Sequence, residues 1–146
     1  MKNRESIGRM LGCLHRQAQR YFHREFSKLG LGSGTHVFLM LLHHHDGVTQ
    51  QELTAKLHFD KAHTTRAIQK LMKLGYVKKE KDPDDLRAFR IHLTEKAQDI
   101  VPQVKKVLRS WSDILSKDFS PEEKRTAMEL LQKMTSNAVD YMDDRE

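Results

Sequence analysis

The most constraining stretch of this chain is residues 49–94, where two short helical patterns run directly into a basic strand–turn–strand. The first helix is signalled by Thr49-Gln50-Gln51-Glu52. There a threonine hydroxyl can take a backbone N–H while the glutamate reaches back to the cap. Leu53 and Leu57 face inward, and His58-Phe59 makes the turn. Asp60 caps the second helix, whose apolar positions Ala67, Ile68, Leu71 and Leu74 recur at helical spacing until Gly75 stops it. Val77–Lys81 and Phe89–Leu93 then read as paired strands, because Phe89, Ile91 and Leu93 alternate with Arg90 and His92. The turn between them holds Pro83 and the aspartates Asp82, Asp84 and Asp85. Such a unit projects one helix and one hairpin toward a single partner, which is the layout of a winged helix-turn-helix.

Amphipathic helices flank this unit. Ile7, Met10, Leu11, Leu14, Ala18, Tyr21, Phe22, Phe26 and Leu29 form one apolar stripe, ended by the loop Gly30-Leu31-Gly32-Ser33-Gly34. A nearly continuous apolar helix is expected from about Thr35 to His45. Thr94-Glu95-Lys96-Ala97 opens a further helix, with Pro102 expected to kink it. Ser120-Pro121-Glu122-Glu123 starts the last one. The expected fold is mainly α with a small β-hairpin wing: a winged helix-turn-helix flanked by N- and C-terminal dimerisation helices. One domain over residues 1–146 is expected, with 33–93 as the DNA-binding lobe and 5–30 and 95–143 as the dimerisation helices. The flanking stripes exceed what a small winged helix covers, which predicts packing against a second chain.

Charge points to the partner. Residues 1–30 carry seven basic and two acidic side chains, residues 52–96 eleven and seven, and residues 118–146 four and eight. A basic face with an acidic far end suits double-stranded DNA. The longest apolar run, Val37–Leu42, is too short to span a bilayer. Met1–Ser6 leads into an amphipathic pattern and not a secretory core, so a cytoplasmic place is expected. The single cysteine, Cys13, rules out an intramolecular disulfide.

The outer faces of the second helix are expected to show Lys61, His63, Thr64, Thr65, Arg66, Gln69 and Lys70. Hydroxyls and bidentate Gln or Arg suit base edges, and lysines suit phosphates. The hairpin adds Lys78, Lys79, Lys81, Arg87 and Arg90. Arg87 is the candidate for a minor groove, with Asp85 expected to hold it by an ion pair.

On these residues the chain resembles the MarR family of transcription regulators. The resemblance spans nearly the whole chain in element order. It is sharpest in Thr49-Gln50-Gln51-Glu52-Leu53, in Thr65-Arg66-Ala67-Ile68-Gln69-Lys70-Leu71, and in Leu74-Gly75-Tyr76-Val77. Asp85-Leu86-Arg87, followed after five residues by Leu93-Thr94, is the most specific part. It implies a homodimer on a pseudo-palindromic operator, usually a repressor, with Thr64, Thr65 and Arg66 at the groove, Arg87 in the wing and Asp85 as its partner. It also implies a ligand pocket, expected here at His15, Gln19, Phe22 and His36 with Arg16 as charge partner, for a small aromatic or amphipathic anionic effector.

A cysteine- or metal-responsive sensor of the same fold is the alternative. Some relatives sense peroxide through a first-helix cysteine with nearby tyrosines, but Cys13 has Gln17 one turn on and reads as a small hydrophobe. A zinc-sensing branch uses a histidine near His36 and a later histidine pair, whereas no histidine follows His92. His43-His44-His45 point in different directions on a helix, so no metal site and no cofactor are expected. A winged helix acting only as a protein–protein module is the other alternative. No nucleophile–base constellation or phosphate loop is present, so no enzymatic activity is expected.

Overall fold

The computed structural model describes residues 6–32 and 34–144. The readings of Met1–Glu5 and of Ser33 therefore lie outside the described residues. The elements are α1 (Ile7–Ser27), α2 (His36–His44), β1 (Val48–Thr49), α3 (Gln50–Leu57), α4 (Lys61–Lys73), β2 (Val77–Lys81), β3 (Phe89–Leu93), α5 (Ala97–Leu115) and α6 (Pro121–Asp143). The chain divides into two units, residues 1–109 and residues 110–146.

Local signals account for the helix starts. The Thr49 hydroxyl accepts the Glu52 N–H at 3.1 Å while Glu52 accepts the Thr49 N–H at 3.1 Å. Ser120 and Glu123 make the same reciprocal pair at the head of α6. Asp60 accepts the His63 N–H at 2.7 Å. Each such cap satisfies donors that the helix itself leaves open, typically contributing about 1 kcal/mol. Gly75, at φ +82°, ends α4 in the left-handed region that a side chain disfavours.

The sheet is antiparallel in the order β1-β3-β2, with β3 central. Val77 pairs with Leu93 and Lys81 with Phe89 across the wing, while Val48 pairs with Ile91 on the other side. The third strand, β1, was not expected: two residues are too few to show alternation, and the strand exists because β3 offers a free edge. Its approach turns through Gly47, at φ +81°, whose N–H meets the Ile91 carbonyl at 2.9 Å. The helix expected from Thr94 begins at Ala97, because Thr94 is engaged elsewhere: its hydroxyl donates to the Gly75 carbonyl at 2.6 Å. α5 runs on through Pro102.

The core of the first unit joins Phe26, Phe38, Leu39, Leu42, Leu53, Ile68, Leu71, Val77, Ile91, Ile100 and Val104. Each fully buried Leu, Ile or Phe stabilises the fold by about 1.5–3 kcal/mol relative to exposure. Burial is uneven along the flanking helices. In α1 only Phe26 is fully buried, and Ile7, Met10, Leu11 and Leu14 are exposed. In α6 no described residue is buried, and Met128, Leu130, Leu131, Tyr141 and Met142 lie exposed.

Candidate nucleic-acid interface

The turn between α3 and α4 sets the direction of α4. His58 closes α3 in the left-handed conformation, φ 56°. Phe59 then packs on the His63 ring at 4.3 Å and on Phe38 at 5.6 Å between centroids. Of the residues expected on the outer face of α4, Lys61, Arg66, Gln69 and Lys70 are exposed, and His63 and Thr65 are half-buried. Thr64 must be corrected: it is 0% exposed. Thr64 stands three and four residues before Ala67 and Ile68, so it shares their inward face. Its hydroxyl donates to the Asp60 carbonyl at 3.1 Å and lies 3.0 Å from the Thr54 hydroxyl. His63 is turned toward the Phe59 and Phe38 rings. The Lys70 ammonium lies over Gly32, in the place a Cβ there would need.

The wing is folded by its own acidic residues. Asp82 accepts the Asp84 N–H at 2.9 Å, and Asp85 accepts the Arg87 N–H at 3.0 Å. These are aspartate turns, in which a short carboxylate replaces a backbone acceptor. The expected ion pair of Asp85 with Arg87 is thus corrected: Asp85 holds the Arg87 backbone. Among the described residues the Arg87 guanidinium has no carboxylate partner.

Arg90, expected as a DNA contact, is engaged within the protein. Its guanidinium donates to the Gly47 carbonyl at 2.8 Å and pairs with Asp82 at 3.1 Å, strapping the wing to the turn before β1. The Asp84 N–H first, then the charge and hydrogen bond of Arg90, outweigh burial and hold the Asp82 carboxyl below its ordinary value. A second strap joins His92 Nδ1 to Asp46 at 2.8 Å, with Glu80 at 3.6 Å from Nε2. Glu80 also engages Lys78 at 3.0 Å.

Between α3, the start of α4 and the wing lies a cleft of about 640 Å³, lined among others by Gln50, Gln51, Thr54, Lys61, Lys79, Arg87 and Phe89. Three cations, Lys61 from α4 and Lys79 and Arg87 from the wing, face this space against one carboxylate, Asp85, a balance that suits a phosphate strand. Gln50, Gln51 and Thr54 were not anticipated as interface residues. Their polarity at the head of α3 was visible, but their facing the wing depends on contacts far apart in sequence. A recess of about 180 Å³ near the exposed face of α4 is lined by Gly34, Thr35, His63, Arg66, Ala67 and Lys70.

The residues expected around an effector are only partly brought together. Phe22 and His36 touch, with ring centroids 5.0 Å apart, and His36 stacks on Phe26 at 4.5 Å. His36 is 8% exposed, its Nδ1 has no hydrogen-bond partner, and burial pushes its pKa down to about 4. His15 and Gln19 are exposed on α1, 3.4 Å apart. Arg16 is exposed, and its guanidinium lies back along α1 near Gly12. Cys13 is exposed. Among the described residues no group of three or more His, Cys, Asp or Glu side chains is arranged to hold a metal ion, and no helix is long and apolar enough to cross a membrane.

Comparison with known proteins meets this geometry. The family model described as MarR family matches residues 33–89, from the approach to α2 as far as the first residue of β3. The HTH-type transcriptional regulator BilQ of Clostridioides difficile (strain CD3) is 27% identical over 119 residues, covering 82% of this chain and 80% of that protein. The crystal structure of a MarR transcriptional regulator from Methanosarcina mazei Go1 is 37% identical, with a TM-score of 0.87 over 92% of this chain and 97% of that one. A MarR family transcriptional regulator from Listeria monocytogenes, complexed with 26mer DNA, is 25% identical, with a TM-score of 0.87 over 93% of this chain and 91% of that one. The fold, the capped helix pair, the basic wing and these relatives agree: the chain belongs to the MarR family of winged helix-turn-helix transcription regulators, DNA-binding proteins that are not enzymes.

Proposed function

We propose that the protein acts as a homodimeric repressor in the cytoplasm, with each protomer placing α4 in a major groove and the Arg87 wing in the flanking minor groove of a pseudo-palindromic operator. The observation that carries this is the division of labour in the wing. Arg90 is engaged by Asp82 and Gly47, whereas among the described residues the Arg87 guanidinium at the tip has no carboxylate partner and faces the cleft with Lys61 and Lys79. An unpaired arginine on a narrow tip suits the negative potential of a minor groove. On α4, Arg66, Gln69 and Lys70 supply the exposed polar face, with Arg66 as the base reader.

The dimer is supported by apolar surface that each unit leaves uncovered on α1 and on α6. Two copies suit two half-sites about one DNA turn apart. A small aromatic or amphipathic anion beside Phe22 and His36, reached past His15 and Gln19, would act by favouring a dimer whose α4 helices are wrongly spaced. The support for this is the aromatic stack of Phe22, Phe26 and His36.

The test is a mobility-shift titration over a salt series on the protein's own promoter. Affinity falls steeply with salt as phosphate contacts release counterions. Arg66→Ala costs about 1–3 kcal/mol at one base position, and Arg87→Ala lowers the salt slope by about one. Unchanged binding by both variants refutes the proposal. No sequence-dependent binding to DNA points instead to a protein–protein module.

A further inference from the structure

The α3–α4 contact holds a hydrogen-bond chain that ends beside the reading surface. Gln50, the first residue of α3, donates from Nε2 to the Thr65 hydroxyl oxygen at 2.7 Å. Thr65 in turn donates its single hydroxyl hydrogen to the Lys61 carbonyl one turn back, at 2.8 Å. A threonine hydroxyl has one hydrogen and two lone pairs. The hydrogen and one lone pair are therefore occupied within the protein. What Thr65 can still offer outward is one acceptor lone pair. Thr64 is buried against Thr54, so Thr65 is the threonine of this pair that can meet a partner. Gln50 itself lines the cleft with Lys61 and Arg87.

An acceptor is selective in a major groove. Adenine N6 and cytosine N4 present amino donors there, whereas guanine O6 and N7 and thymine O4 present acceptors. We infer that Gln50, a residue outside the recognition helix, is a specificity-determining positioning residue: it fixes Thr65 as a hydrogen-bond acceptor, so that the base facing Thr65 must carry an amino group. This rests on the proposed placement of α4 in the major groove. Meeting guanine or thymine there would set acceptor against acceptor, or would require Thr65 to release the Lys61 carbonyl. Without Gln50 the hydroxyl is held by the Lys61 carbonyl alone, so the lone pair aimed outward is less firmly fixed toward the base.

The experiment selects binders from a pool of duplexes with a randomised centre, using the full-length protein. Wild type, Gln50→Met, Thr65→Val and the double variant are compared. Wild type favours adenine or cytosine at one position of each half-site. Gln50→Met and Thr65→Val each flatten that single preference, by roughly 2- to 10-fold, the worth of one hydrogen bond. The double variant flattens it no further, and preferences at other positions persist. Gln50→Asn, one methylene too short to keep the contact, gives the same flattening and serves if Gln50→Met does not fold. The inference is overturned if the Gln50 variants leave the profile unchanged, if they weaken every sequence equally, or if the position favours guanine or thymine. A wild-type protein without any base preference instead refutes the proposed reading of α4 itself, and the inference with it.

Discussion

Replacing His36 by phenylalanine should make the protein markedly less sensitive to acid. The His36 ring packs on both Phe22 and Phe26, with Nδ1 unpartnered among the described residues and 8% of its surface exposed. Burial without a partner disfavours the charged ring, lowering its pKa from 6.5 to about 4. The sign follows from proton uptake. Below pH 6.5 the unfolded chain protonates this histidine, while the folded protein keeps it neutral until about pH 4. Folding is therefore unpenalised well above 6.5, loses stability as pH falls through that window, and loses no more below about 4. One pKa unit corresponds to about 1.4 kcal/mol, so at pH 5 the penalty is about 2 kcal/mol. That is a visible part of a typical stability of about 5–15 kcal/mol. The assay is urea unfolding of wild type and His36→Phe at pH 7 and pH 5, at one protein concentration. Whether the larger ring fits alters both pH values alike. The carboxylates of Glu25, Glu80, Asp82 and Glu123, whose lowered pKa values make stability fall in acid, are common to both proteins and cancel. Wild type should lose about 2 kcal/mol more than the variant between the two pH values. Parallel losses would refute the claim that His36 is buried in its neutral form.

Two other perturbations test the placement of side chains. Thr64→Val keeps the shape of a residue that is 0% exposed, and Thr54 retains the Gln50 carbonyl at 2.9 Å. It should cost about 1 kcal/mol or less in urea unfolding and leave operator preference untouched, and an altered base preference would contradict its burial. Leu131→Glu puts a charge into the exposed stripe of α6, where Leu131 is 42% exposed in the single chain. Sedimentation should show the proposed wild-type dimer reduced to a monomer, with operator affinity falling in step; a dimer of unchanged strength would remove α6 from the interface.

Much of this fold was legible because its signals are local. Thr49 and Glu52, Ser120 and Glu123, and Asp60 with the His63 N–H each act across three residues, so helix starts can be read directly. The alternation of Phe89, Ile91 and Leu93 marks a strand without reference to anything else. The candidate site was legible only as a set of residue types. Thr64 and Thr65 are adjacent and identical, yet the 100° step of a helix sends one into the core and leaves the other half-exposed. Arg87 and Arg90 are three residues apart on one hairpin, yet only Arg90 meets the Gly47 carbonyl, 43 residues away in sequence. Asp85 chose the backbone of Arg87 over its side chain because an aspartate turn forms at the shortest range available.

What the sequence by itself determined is the order and type of the elements other than β1, the basic wing and the kind of partner, since caps, periodicity and charge need no tertiary contact. Only the tertiary structure decided which polar groups remain available to that partner. Arg90, Thr64 and His63 are used in holding the protein together, while Arg87, Arg66 and the Gln50–Thr65 pair border the proposed reading surface. The physical reason is that a hydrogen-bonding group has a small fixed number of donors and acceptors, and only folding shows where they have been spent.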